Sequence, residues 1–255
     1  MNLFRNSLLF TLIFFSPLTI ASDLAKEQRW ADQIIDYLID GEAEWLSANK
    51  HKFLSIYTEA QTPQLSGAAI IIHGSGVHPN WEEVIQPLRT ALPEKGWSTL
   101  SIQMPVLAND ANYSDYANLF NEVSPRINAA IKKLKQQNIN NIVIIAHSLG
   151  STMSAYYLAS NHNDSIKAFV AIGMPGKNKD DRMNNIITLK KISIPMLDLY
   201  GSNDLNTVLE SAKARKQSTK HNPDYSQLVI KDANHFFTNK DSELINTISQ
   251  WLSRI

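Results

Sequence analysis

The chain has 255 residues, 44% hydrophobic and 19% charged, a balance that suits one globular domain with a large core. Lys+Arg and Asp+Glu are equal at 24 each, so no field of one sign draws nucleic acid or an anionic membrane. There is no cysteine, which excludes disulfides, a lipid-modified N-terminal Cys, thiol catalysis and thiolate metal sites together.

The first 21 residues stand apart. Arg5 gives a positive start, Leu8 to Phe15 an apolar stretch, Pro17 a break, and Thr19-Ile20-Ala21 small residues at the positions a signal peptidase reads. The expectation is a signal peptide cleaved after about Ala21 or Ser22, with a retained anchor as the alternative. The apolar span is short of the ~20 residues that cross a bilayer. The address that follows is secreted, most simply a bacterial periplasm, with 22–255 as a single domain.

Asp23 to Asp40 carries Leu24, Trp30, Ile34, Ile35 and Leu38 at helical spacing, ending near Gly41. Glu44 to Ala48 and Lys52 to Glu59 are expected as antiparallel strands joined at Asn49-Lys50. A regular alternation then begins. Strands are predicted at 68–72, 97–104, 141–146, 167–172, 195–200 and 227–231. Helices are predicted at 81–92, 120–137, 149–160, 182–191, 205–217 and 242–255. Strands alternating with helices imply a mostly parallel α/β sheet covered on both faces, with functional groups at the carboxyl ends of its strands.

The chemistry gathers at those ends. In Ala146-His147-Ser148-Leu149-Gly150 an apolar strand stops at a serine and a helix follows. That is the pattern of a nucleophile elbow, G-x-S-x-G, with Ala146 in place of the first glycine. The alternative is a serine that merely caps the helix. Serine needs a base beside it, and the base needs an orienting acid. Asp204 lies just beyond the 195–200 strand, with Asp198 inside that strand as its rival. Of the seven histidines, His235 alone follows the last strand. The order Ser148, Asp204, His235 is the order this arrangement requires. Leu149, next to the nucleophile, and Ser75, in His73-Gly74-Ser75-Gly76, are expected to aim backbone N–H groups at an oxyanion. No Gly-Lys-Ser/Thr follows that loop, so it is no phosphate cradle. His73 and His78 have no third partner at ligand spacing, so neither a metal nor a cofactor is expected.

From about Gly67 onward, these motifs together with Gly201-Ser202-Asn203-Asp204 and Asn234-His235 resemble the α/β-hydrolase superfamily. More narrowly, Gly41 to Leu46 and His73 to Gln103, with His78-Pro79-Asn80-Trp81 and Gly96 to Leu100, are similar to an uncharacterised family of secreted bacterial α/β-hydrolase-like proteins. The superfamily resemblance implies the fold and a Ser148–Asp204–His235 triad. The narrow one implies no substrate. The function expected is a serine hydrolase cleaving an ester or related acyl bond of a small or polymer-linked substrate. The alternatives are a non-catalytic binding protein of the same fold and an acyltransferase using the same residues. Only 173–194 is available for a lid, and Lys177 to Arg182 is strongly polar. Little or no cap and an open, polar-rimmed site are therefore expected, with Pro105 to Leu119 as the other wall.

Overall fold

Gly67–Ile72, Trp97–Ile102 and Ile142–His147 bury every residue they contain. Only strands covered on both faces read this way. The computed structural model describes residues 22–255; the signal-like stretch 1–21 lies outside them. The elements in order are α1 (Leu24–Tyr37), β1 (Glu42–Ala48), β2 (His51–Thr58), β3 (Gly67–Ile72), α2 (Ile85–Ala91), β4 (Trp97–Ile102), α3 (Phe120–Gln136), β5 (Ile142–His147), α4 (Leu149–Ser160), β6 (Ile166–Ile172), α5 (Asn185–Thr188), β7 (Met196–Asn203), α6 (Asn206–Leu209), α7 (Ala212–Ser218), β8 (Tyr225–Asn234) and α8 (Asp241–Leu252).

The eight strands form one sheet in the order β1-β2-β4-β3-β5-β6-β7-β8. Strand β2 runs antiparallel to both β1 and β4, and β3 through β8 are mutually parallel. Side chains alternate between faces with the period of two that a strand imposes. Ile70, Ile72, Ile142 and Ile144 pack with Phe120, Val123 and Ile127 of α3 and Met153 of α4. On the other face Ala69, Ile71, Val143 and Ile145 pack with Ile85 and Leu88 of α2 and Leu244 and Ile248 of α8. Each fully buried large aliphatic contributes roughly 1.5–3 kcal/mol, so this two-sided core dominates stability.

Helix α1 covers the antiparallel end, Ala31 and Ile34 lying on Leu54 and Ile56 of β2. It is also clamped by charge. Arg126 of α3 donates to both carboxylate oxygens of Glu27, at 2.9 and 3.0 Å, and to the Gln103 carbonyl at 3.0 Å. Lys26 Nζ donates to the Leu107 carbonyl at 2.9 Å.

Three expected helices come out shorter or broken. The one expected over 81–92 begins only at Ile85, because Val84 takes a φ of +63°. The one expected over 182–191 breaks at Asn184, whose side chain accepts from the Ile186 N–H and starts α5 afresh. The one expected over 205–217 divides into α6 and α7 at Glu210-Ser211. The 105–119 segment ends in a 3-10 turn, Tyr113–Leu119, capped by Asn112 and Asp115. Only residues 173–195 separate β6 from β7, and they form no cap.

Candidate active site

The elbow begins with backbone. Ser148 sits between β5 and α4 with φ +53° and ψ −122°, a region that costs a non-glycine residue about 1–3 kcal/mol. Its surroundings over-determine that conformation. The Ser148 N–H donates to the Ile172 carbonyl at 2.8 Å, stapling the turn to β6. A Cβ on Gly150 would lie 2.3 Å from the His73 carbonyl oxygen, so only glycine lets α4 start this close to β3. Ala146 is 1% exposed and pairs with Ile72 and Ala171, so the extra methyl is absorbed by the core.

The side chains then meet in a line. Ser148 Oγ lies 2.9 Å from His235 Nε2, and His235 Nδ1 lies 2.6 Å from Asp204 Oδ1. A carboxylate accepting from Nδ1–H leaves Nε2 as the acceptor for the serine hydroxyl. The Asp204 side chain is fully buried and also accepts from the Leu205 N–H at 2.7 Å. Asp198, its rival, is committed elsewhere. It is buried in a bidentate pair with Arg215 at 2.8 and 3.1 Å and accepts from the Tyr225 hydroxyl at 2.8 Å. The structure therefore brings Asp204, and not Asp198, to the imidazole.

Two further residues shape this line and escaped the sequence reading. Gly173 directly follows β6 with φ +59°, and a Cβ there would stand 3.0 Å from both His235 Cε1 and Nδ1. His147 is buried against the base, its ring centroid 4.8 Å from that of His235. Its Nε2–H donates to the His235 carbonyl at 2.9 Å. Burial, reinforced by His235 nearby, lowers the His147 pKa to about 4, so its ring is neutral. The signals were present as a glycine at a strand end and a polar residue inside an apolar run. Neither reveals its partner, because the partners lie far off in the chain.

The 73–76 loop, expected to face an oxyanion, is held by His73. Burial lowers its pKa to about 3, its Nδ1–H donates to the Gly74 carbonyl at 2.8 Å, and its Nε2 accepts from the Met104 N–H at 2.9 Å. Among the described residues, neither the Ser75 nor the Leu149 backbone N–H donates to a group of the chain. Both remain for a ligand.

These groups open into a cavity of about 530 Å³, lined by Ser75, Tyr113, Ser148, Pro175, Leu205, Val208, His235 and Phe236 among others. A volume in the hundreds of cubic ångströms is the size of a small-molecule site. The polar rim expected from Lys177 to Arg182 is only half right. Lys177 and Asn178 do reach the cavity, but its walls are mainly apolar. The arrangement suits proton transfer from a serine hydroxyl and stabilisation of an oxyanion. Among the described residues no group of three or more His, Cys, Asp or Glu could hold a metal ion.

Comparison with solved structures gives the architecture its name. The chain superposes on Est1E from Butyrivibrio proteoclasticus with TM-score 0.63 and 18% identity, over 84% of this chain and 98% of that one. It superposes on an alpha-beta serine hydrolase homologue from Coxiella burnetii with TM-score 0.67 and 18% identity, over 84% and 98%. Dienelactone hydrolase from Anabaena variabilis gives TM-score 0.67 and 16% identity, over 84% and 97%. Identities this low carry the fold alone, and that fold is the α/β-hydrolase fold without a cap. No curated protein matches the sequence. A family model does match over residues 19–119 and 108–254, nearly the whole chain, and the chain belongs to that family, described as "Protein of unknown function (DUF3530)".

Proposed function

We propose that the protein is a serine hydrolase that cleaves an ester or related acyl bond. His235 takes the proton of Ser148 as Oγ attacks the acyl carbonyl carbon. The N–H groups of Ser75 and Leu149 bind the resulting oxyanion, each such donor contributing about 3 kcal/mol to the barrier reduction. His235 returns the proton to the departing alcohol. Water, deprotonated by His235, then attacks the acyl-enzyme and releases the acid and free Ser148. Asp204 keeps the imidazole in the required tautomer and stabilises its protonated form.

One observation carries this reading. The serine whose backbone is strained at φ +53° is the one whose hydroxyl lies 2.9 Å from an imidazole backed by a buried carboxylate. A structural helix cap needs none of this. The hydrolase and esterase folds of the neighbours agree with the reading. We place the working enzyme in a bacterial periplasm after removal of residues 1–21, on the signal-peptide pattern of Arg5, the apolar stretch Leu8 to Phe15 and Thr19-Ile20-Ala21. Among the described residues no helix is long and apolar enough to cross a membrane.

The test is a panel of p-nitrophenyl esters of increasing chain length, run on wild type and Ser148→Ala, with fluorophosphonate labelling read alongside. The expected result is label on Ser148 and turnover abolished in the variant. Folded wild-type protein that takes no label and turns over nothing would instead be a binding protein. Ester product formed with an added alcohol would mark an acyltransferase.

A further inference from the structure

The chain is neutral overall, but the space around its catalytic serine is not. The cavity at Ser148 has apolar walls from Val77, Pro175, Leu205, Val208 and Phe236. Among the described residues Lys177 is the single Lys, Arg, Asp or Glu that lines it. The carboxylate closest to the chemistry, Asp204, is fully buried behind His235. Asp180, three residues on from Lys177, is engaged by Arg182 at 2.9 and 2.6 Å, so it does not neutralise the lysine. Among the described residues Lys177 belongs to no ion pair.

A second cavity of about 370 Å³ shares Ser75 and Tyr113 with the first and is also lined by no carboxylate. Its lysine, Lys26, is engaged by the Leu107 carbonyl at 2.9 Å, Asn109 Oδ1 at 2.7 Å and the face of Trp30 at 4.7 Å. Among the described residues Lys177 is thus the lysine at these two cavities without an ion-pair partner. It is solvent-exposed at the lip of an apolar cleft, and the wall on one side strengthens an ion pair there relative to open water.

Resting on the hydrolase reading above, we propose that the substrate is an ester bearing a carboxylate. Its apolar body fills the cavity and its acidic end meets Lys177. A neutral ester gains nothing from this ammonium, and a cationic ester is repelled by it. Lys177 is then the residue that sets specificity for charge.

The experiment compares matched esters by proton release at constant pH. Monoethyl adipate against ethyl hexanoate places the carboxylate on the acyl side. The butanoate ester of glycolic acid against ethyl butanoate places it on the alcohol side. Wild type is expected to prefer the anionic member of one pair, which identifies the side. Lys177→Ala should lower that anionic-to-neutral ratio of kcat/KM about tenfold, Lys177→Glu should invert it, and Lys177→Arg should preserve it. Added salt should shrink it in wild type, since the pair is solvent-exposed and the screening length falls from about 10 Å at 0.1 M to about 3 Å at 1 M. Lys179→Ala, exposed and outside the cavity, should leave both rates unchanged. An unaltered ratio in Lys177→Ala, with wild type active on the neutral esters, overturns the proposal alone. Wild type that cleaves no ester and takes no fluorophosphonate label overturns the hydrolase reading and this proposal with it.

Discussion

Gly173→Ala tests the proposed Ser148–His235–Asp204 line without replacing any of its members. The new methyl would sit 3.0 Å from His235 Cε1 and Nδ1 and 3.5 Å from Asp204 Oδ2. Such a contact is too short, and the imidazole must give by a few tenths of an ångström. It has little room. Asp204 holds it at 2.6 Å, and the rings of His147 and Phe236 flank it at centroid distances of 4.8 and 5.3 Å. The ring therefore turns away from Ser148. Misplacing a reacting group by about 1 Å costs about a hundredfold in rate, so a shift of part of that distance should cost about tenfold to a hundredfold in kcat. The φ of +59° adds about 1–2 kcal/mol of backbone strain for a residue with a Cβ. For a domain of this size that lowers Tm by roughly 2–4 °C per kcal/mol. The assay is kcat on p-nitrophenyl butyrate with thermal unfolding measured on the same preparations. Wild-type kcat in a variant whose Tm has dropped would refute the argument, because the methyl would be present without displacing the base.

Asp204→Asn should lower kcat by about four orders of magnitude through the wrong imidazole tautomer, with Tm little changed. Asp198→Asn should do the reverse, since removing one partner of a buried ion pair costs about 3–5 kcal/mol, read by urea unfolding, while fluorophosphonate labelling of the folded fraction persists. Stability should fall as pH is lowered. His73 and His147 are held neutral with pKa values of about 3 and about 4, below the 6.5 of the unfolded chain. Below pH 6.5 the unfolded state therefore binds more protons, and the loss runs from about 6.5 down to the folded values at roughly 1.4 kcal/mol per pH unit for each histidine. Urea unfolding at pH 7, 6 and 5 measures the slope, His147→Gln should reduce it, and a flat profile contradicts the assignment of both rings as buried and neutral.

Much of the sheet was legible because its strands are continuous apolar, β-branched runs, and burial on both faces leaves no other sequence open to them. Ser148, Asp204 and His235 stood out as candidates because such sheets carry their functional groups where those runs stop, and the structure brings their side chains together. Asp204 was favoured over Asp198 by its place beyond the strand, and the structure agrees; what occupies Asp198, Arg215, lies 17 residues away and announces nothing locally. The apolar character of the cavity was hidden for a related reason. Val77, Tyr113, Leu205 and Phe236 come from four separate segments, and no window of sequence contains the wall they build together. The polar run 177–182 overstated the polarity of what it borders, while the other expected wall, 105–119, does bring Tyr113 to the cavity. The broken helices reflect tertiary demands. Asn185, for instance, is buried so that its amide can reach Thr152 at 2.9 Å and the Pro175 carbonyl at 2.8 Å.

The pairing of Glu27 with Arg126 has a consequence in time as well as in energy. The two residues are 99 positions apart, and β2 likewise finds its inner neighbour β4 only across the intervening β3 and α2. Contacts between distant residues form late, because the entropy of closing the loop is lost before the contact returns anything. Helix α1 is therefore the first described helix to be synthesised, and it cannot complete these contacts until α3 has followed it. Until α3 exists, Glu27 has no arginine to meet and the apolar stripe of Ala31 and Ile34 has no finished sheet edge to cover. The first described helix thus waits on the rest of the chain to give it the surface it covers.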